Sequence, residues 1–127
     1  MYVIMFRVIV AGSRDFKDYQ LLEKTLDYFL QNINEPIHIL CGMANGADAL
    51  GLLYAHWHDC ELEKYPAKWD IHGKRAGFIR NEEMAQNADA LVAFWDGKSH
   101  GTKDMIKRAR EHGLHVKVVR YGDKNDN

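Results

Sequence analysis

The feature that most limits what this chain can become is a repeated switch from a short apolar run to a segment of helical period, usually across a glycine-bearing turn. Val3 to Ala11 is nearly continuous in Val, Ile, Met and Phe with Arg7 its only charge, the composition of a strand covered on both faces. It ends at Gly12. From Asp18, the positions Tyr19, Leu22, Leu26, Phe29 and Ile33 recur at helical steps while Glu23, Lys24 and Asp27 lie elsewhere on the cylinder, which predicts a helix stopped by Asn34 and Pro36. Ile37 to Cys41 reads as a second strand closed by Gly42. Ala47 to about His58 reads as a second helix with Leu50, Leu53, Tyr54 and Trp57 on one face. Glu61 to Tyr65 is a polar third strand placed at a sheet edge, and residues 66–72 read as a loop. Lys74 to about Asn87 is a third helix and Ala88 to Trp95 a fourth strand. Thr102 to His112 is a fourth helix capped by Gly113, and Val116 to Val119 a fifth strand.

Strand and helix alternating in this way imply an α/β fold. We expect a single Rossmann-like, three-layer domain with a five-stranded parallel sheet and helices on both faces, because parallel neighbours need right-handed crossovers. The expected strand order is 3-2-1-4-5, ahead of 2-1-3-4-5. In either case ligands bind beyond the carboxyl ends of the strands, where the order reverses. The 127 residues, 46% hydrophobic and 28% charged, suit one such domain over residues 1–121 with a loose polar tail at 122–127.

Composition removes several function classes. Seventeen Lys and Arg against 18 Asp and Glu give a net charge of -1, so there is no basic excess for general attraction to nucleic acid or to anionic lipid. No apolar run reaches the roughly 18 residues of a membrane span. Two cysteines, Cys41 and Cys60, are too few for a disulfide framework and point to a reduced, cytoplasmic protein. The opening MYVIMFRVIVAG lacks a basic leader and reads as a buried strand rather than a signal peptide. Of the seven histidines, His56 and His58 face different ways on a predicted helix, and no Cys/His set has zinc spacing, so no metal is expected. His100 is the histidine nearest the chemistry, able to donate to an anion when protonated.

Function then belongs in the loops after strands one, two and four. They read Gly12-Ser13-Arg14-Asp15-Phe16, Gly42-Met43-Ala44-Asn45-Gly46-Ala47-Asp48 and Asp96-Gly97-Lys98-Ser99-His100-Gly101-Thr102. Each leads from a strand into a helix, so backbone N–H groups and the positive end of a helix dipole face a common point, an anion-binding geometry suited to phosphate. Any such turn favours Gly, Ser, Asp and Asn for capping alone. Neither the dinucleotide fingerprint nor the P-loop spacing is present. Three loops at one predicted edge, one with an Arg and another with a Ser/Thr pair, shift the balance to a nucleotide phosphate site. The segment Gly73 to Glu83 adds Lys74, Arg75 and Arg80 early in a helix, where the dipole disfavours cations unless an anion compensates. Arg80 and Asn81 are placed to reach a ribose or phosphate.

The stretches GSRDF (12–16), CGMANGADALG (41–51), YPAKW (65–69), GKRAGFIRNEEM (73–84) and ADALVAFWDGKSHGT (88–102) resemble the YspA-like (YpsA-related) branch of the SLOG superfamily, Rossmann-like domains related to the Lonely Guy phosphoribohydrolases and to DprA/Smf. The resemblance runs from about residue 7 to residue 120. It implies a domain that binds a nucleotide or a nucleotide-derived ligand such as an ADP-ribose derivative, with no cofactor. Carried over, Gly12, Ser13 and Arg14 flank the site. Gly42, Asn45, Gly46 and Asp48 form a second wall, Arg80 and Asn81 come from the third helix, and Asp96, Gly97, Ser99, Gly101 and Thr102 cradle the phosphate. Trp69 and Phe78 are candidates for stacking on a base, with Trp95 behind them.

Three functions are weighed. The first is binding, as a sensor or a sequestering protein. The second is cleavage of the N-glycosidic bond of a nucleoside monophosphate, for which the Lonely Guy enzymes pair an arginine with a glutamate two residues after a Gly-Thr. Here Gly101-Thr102 is followed by Lys103 and Asp104, a shorter acid, and Arg80 is followed by Asn81. Arg80 and Asp104 are therefore the catalytic candidates, and the departures count against hydrolysis. The third is nucleic-acid binding in the manner of DprA along Lys68, Lys74, Arg75, Lys103, Lys107, Arg108 and Arg110, which the net charge disfavours. A homo-oligomer is expected as the partner, with Tyr54, Trp57 and Met84 as candidates to line the contact.

Overall fold

Apolar runs become strands here because both of their faces are covered. In the computed structural model, which describes residues 4–42 and 45–122, the strands β1 (Phe6–Gly12), β2 (Ile37–Cys41), β3 (Glu61–Lys64), β4 (Ala90–Trp95) and β5 (His115–Arg120) form one parallel sheet in the order β3-β2-β1-β4-β5. Crossovers run through helices α1 (Tyr19–Leu30), α2 (Ala47–Trp57), α4 (Ala76–Gln86) and α5 (His100–Glu111). The period of two along each strand divides the core. Val8, Val10, Ile39, Val92 and Phe94 meet Leu22 and Leu26 of α1 and Ala47, Tyr54 and Ala55 of α2. Ile9, Ala11, Leu40, Leu91 and Ala93 meet Met84 and Ala85 of α4 and Met105, Ile106 and Ala109 of α5. Each Leu, Ile or Val fully removed from water contributes about 1.5–3 kcal/mol.

Some boundaries move for local reasons. Helix α1 stops at Leu30, short of Ile33, with Asp18 accepting from the Leu21 N–H at its start. Helix α5 begins two residues before the expected Thr102, because Ser99 caps it. Within the expected loop 66–72, Trp69–His72 forms a one-turn helix, α3, which a 3₁₀ turn over Gly73–Arg75 joins to α4. Four residues offer no period to read. Tyr54 is 3% exposed and Met84 2% exposed, both inside the core, so neither lines a surface contact; Trp57 is 68% exposed. Val3, Met43, Ala44 and tail residues 123–127 lie outside the described residues. Among the described residues no helix is long and apolar enough to cross a membrane, and no group of three or more His, Cys, Asp or Glu is arranged to hold a metal ion.

The sheet order creates the crevice. From β1 the chain steps outward to β2 and β3, then returns past β1 to β4 and β5. The carboxyl ends of β1 and β4 therefore lie side by side, with Gly12 in register with Phe94, and the chain leaves them for helices on opposite faces of the sheet, α1 on one and α5 on the other.

Candidate functional site

The loop after β1 is fastened to the loop after β4. The Ser13 N–H donates to the Phe94 carbonyl at 3.0 Å, and the Ser13 hydroxyl accepts from the Asp96 N–H at 3.2 Å. Ser13 is thus buried and used up in holding two loops together. Backbones approach closely here. A Cβ on Gly12 would stand 2.7 Å from the Ala47 Cβ and against the Phe94 carbonyl oxygen. Gly46 has φ +74°, and a Cβ there would stand 2.7 Å from the Arg14 backbone. Both glycines are required by the fold.

The loop after β4 is built by its own side chains. The Asp96 carboxylate accepts from the Lys98 and Ser99 N–H groups, each at 2.8 Å, around Gly97 at φ +84°. Desolvation raises the affinity of this carboxyl for a proton, but the two amides and Ser13 outweigh it and hold the group below its ordinary value. Ser99 then caps α5. Its hydroxyl accepts from the Thr102 N–H at 3.4 Å and pairs with the Thr102 hydroxyl at 3.2 Å, while its carbonyl accepts from the Trp95 indole N–H at 3.0 Å. Of the leading N–H groups of the helix, that of Thr102 is satisfied by the cap. Those of His100 and Gly101 precede any intrahelical acceptor and lie at the positive end of the dipole.

Arg80 and Asn81 brace the third side. The Arg80 guanidinium donates to the carbonyls of Gly42 and, at 3.3 Å, Tyr65, and its Nε donates to the Asn81 side-chain oxygen at 3.1 Å. Burial pushes the guanidinium below its ordinary value, against the opposing charge of Asp48. Asn81 is 6% exposed. Its amide donates to the Gly101 carbonyl at 3.2 Å and to the Asp104 carboxylate at 3.0 Å. Asp104 also takes the Arg108 Nε at 2.8 Å, and Arg108 continues to Glu82 at 3.1 Å. The candidate acid therefore sits inside a structural network.

These elements enclose a cleft of about 250 Å³. Gly12, Arg14, Asp48, Trp69, Arg80, Asn81, Ser99, Gly101 and Thr102 all line it, with Phe78 among the stacking candidates and Lys74 from the basic segment. A second cleft, of about 330 Å³, shares Arg14, Trp69 and Arg80 and adds Gly42 and Asn45. Ser13, Gly46, Asp96 and Gly97 line neither and act as loop framework. Trp95 lies under the Arg120 guanidinium, 5.2 Å from its ring centre, away from both. The first cleft presents three cationic side chains, Arg14, Lys74 and Arg80, against the single carboxylate of Asp48. Residues not anticipated are Ala11, Met84 and Met105 along the first cleft, Gly77, and Pro66 and Ala67 of the second. Gly77 alone carried a signal, as a glycine inside a helical pattern. A Cβ there would touch the Trp69 ring at 3.6 Å.

Comparison with known proteins agrees with this fold. The model of the YspA, cpYpsA-related SLOG family (YAcAr) matches residues 6–72. The Gene 61 protein of Mycobacterium phage D29 is 34% identical over 127 residues, covering 94% of this chain and 99% of that protein. The X-ray structure of DNA processing protein A (DprA) from Streptococcus pneumoniae superposes with a TM-score of 0.72 at 20% identity, covering 96% of this chain and 52% of that one. The chain thus spans about half the length of the DprA structure, and this likeness concerns the fold.

Proposed function

Because the chain belongs to the YspA, cpYpsA-related SLOG family, whose membership suggests a nucleotide-related ligand, we propose that it binds a nucleotide or a nucleotide derivative such as an ADP-ribose compound, as a cytoplasmic sensor or sequestering protein. One observation carries the reading. Gly101 lines the cleft at the second residue of α5, has no positive φ, and would find nothing within 4 Å of an added Cβ. The fold makes no demand for glycine there, whereas a phosphate lying on the His100 and Gly101 N–H groups does. Among the described residues Arg14 and Lys74 have no polar partner of their own to give up. At about 250 Å³ the first cleft falls below the roughly 300–1,000 Å³ of small-molecule sites. Arg14, Trp69 and Arg80 line both clefts, and a nucleotide extends past Trp69 into the second, its base stacked on that ring. Binding is preferred to cleavage because Asp104 is committed to Asn81 and Arg108.

The test is native mass spectrometry of the purified protein, followed by calorimetry with AMP, ADP and ADP-ribose on the wild type, Arg14→Ala and Gly101→Asp. A nucleotide retained by the wild type and lost from both variants, unchanged on incubation, supports the reading. Failure of every nucleotide to bind overturns it, and release of free base would replace the binder with a hydrolase.

A further inference from the structure

A groove of about 720 Å³, larger than either cleft of the proposed site, follows α5 from His100, its first residue, to Glu111, its last. Its apolar lining is Phe78, Trp95 and Ile106, and exposed Lys103, Lys107 and Arg110 stand around it. Trp95, which lines neither cleft, has its cavity here. The volume lies within the roughly 300–1,000 Å³ of small-molecule sites. The side chains of Lys103, Lys107 and Arg110 have no hydrogen-bond or ionic partner among the described residues. On the same helix Arg108, by contrast, is held by Asp104 and Glu82. The Asp104 carboxylate also lines the groove, but it is committed to Arg108 and Asn81. Three available cations beside aromatic rings, against the carboxylate of Glu111, complement an anion that carries a flat ring.

The groove adjoins the cleft. Phe78 lines both, and of the consecutive residues that open α5, His100 lines the groove and Gly101 the cleft. We propose that the groove takes the second nucleoside of a dinucleotide, two nucleosides joined through their phosphates, whose first half occupies the cleft. The inference rests on the nucleotide reading above and names its ligand class. The joining phosphates lie at the start of α5, and the second half passes Phe78 with Lys103 and Lys107 as counter-charges and its base against Phe78 and Trp95. Glu111 marks the far end, about 16 Å along the helix from His100. A carboxylate there accepts from ribose hydroxyls or a base amine and repels a further phosphate, so the order of charges suits a ligand that ends over a continuing strand. Joining the halves makes the second binding event intramolecular, which raises affinity without altering the first.

Isothermal calorimetry of AMP and of diadenosine diphosphate, two AMP halves joined by one anhydride bond, tests this on the wild type and on Lys103→Ala/Lys107→Ala. Both lysines are exposed and alanine favours a helix, so the double variant keeps its fold. The wild type should bind diadenosine diphosphate at least about tenfold tighter than AMP, and the double variant should bind AMP as the wild type does while that advantage falls below about threefold. A wild type that binds AMP and gains nothing from the second nucleoside overturns the inference and leaves the nucleotide reading standing. A gain that the double variant keeps overturns it likewise. If neither compound binds, both readings fail. A short thymidine oligonucleotide that binds tighter than diadenosine diphosphate and displaces it would replace the dinucleotide with a nucleic-acid strand.

Discussion

Asn81 is the residue whose loss the structure makes most informative. Its amide donates to the Gly101 carbonyl and the Asp104 carboxylate, and its oxygen accepts from Arg80, so one buried side chain joins α4, α5 and, through Arg80, the β2 loop. A neutral hydrogen bond contributes about 0.5–1.5 kcal/mol and one to a charged group about 1.5–3. The charged partners are not orphaned by truncation. Asp104 keeps Arg108, and Arg80 keeps the carbonyls of Gly42 and Tyr65. Asn81→Ala should therefore cost about 3 kcal/mol, roughly 10–15 °C in Tm for a domain of this size. Asn81→Asp is the sharper perturbation because it preserves shape. It replaces two donors by an oxygen 3.2 Å from the Gly101 carbonyl and 3.0 Å from the Asp104 carboxylate. Both are acceptors and one is charged, so the loss at pH 7.5 should exceed that of the alanine variant. Repulsion from Asp104 and burial are expected to outweigh the Arg80 guanidinium at the other oxygen and to raise the folded pKa of the new carboxyl. Below it, the protonated group regains one donor, so the Asp variant should recover against Ala between pH 7.5 and about pH 5. Urea unfolding followed by circular dichroism at both pH values measures this. An Asp variant as stable as wild type at pH 7.5, or an Ala variant costing under about 1 kcal/mol, refutes the bracing role.

Gly12→Ala and Gly101→Ala should separate fold from ligand. The first forces a Cβ against the Phe94 carbonyl and Ala47 and should destabilise by about 2–3 kcal/mol. The second should leave Tm unchanged or slightly raised while weakening nucleotide binding at least tenfold, and a large loss of Tm there would refute the open-space argument. For Glu63, desolvation is outweighed by hydrogen bonds from His38 at 2.7 Å and Arg7 at 2.8 Å, and its pKa is held below the ordinary value. Its stabilisation is therefore present above the unfolded pKa, about 4.3, and lost as pH falls through the folded one. Wild type and Glu63→Gln should differ in urea midpoint at pH 6 and converge towards pH 3; a constant difference would count against the pairing. Tyr54→Phe removes the 2.8 Å bond to Asp27 but keeps the stack on His58. It should cost about 1 kcal/mol in urea unfolding. Ultraviolet titration should find the Tyr121 phenol pushed up to about 12 by burial and Asp15, with Tyr54 also above its ordinary range for burial and Asp27. Complete ionisation of the native protein near pH 10.5 would contradict both.

What the sequence made legible is whatever depends on neighbours in the chain. The runs around Val8 and Val92 announced strands buried on both faces, and crossover geometry made the sheet parallel while leaving two orders open, of which the favoured 3-2-1-4-5 is the one observed. The three loops were visible because glycine, serine and aspartate mark a strand-to-helix turn wherever it occurs. The partners of each loop residue were not visible. Asn81 meets Gly101 and Asp104, 20 and 23 residues away, and nothing in the pattern GFIRNEEM distinguishes a residue that reaches a ribose from one that pins a helix. Ser13 and Asp96 are the same case, polar loop residues whose groups close on each other across 83 positions.

The glycines show why the distinction matters for function. In the sequence Gly12, Gly46 and Gly101 are equivalent, each a small residue in a strand-to-helix loop. In space, Gly12 is fixed by the Phe94 carbonyl and Gly46 by a positive φ and the Arg14 backbone, and either requirement would hold in a protein that bound nothing. Gly101 has neither constraint, and glycine at that point in α5 lowers helix stability. On the proposed reading, the glycine is kept there for what approaches it from outside. The same reasoning separates the two arginines of the cleft. Arg80 is occupied with Gly42, Tyr65 and Asn81, and serves as wall. Arg14 has no such partner among the described residues and lines the same cleft as Gly101, so on the proposed reading an anion at the His100 and Gly101 N–H groups would take Arg14 as its counter-charge.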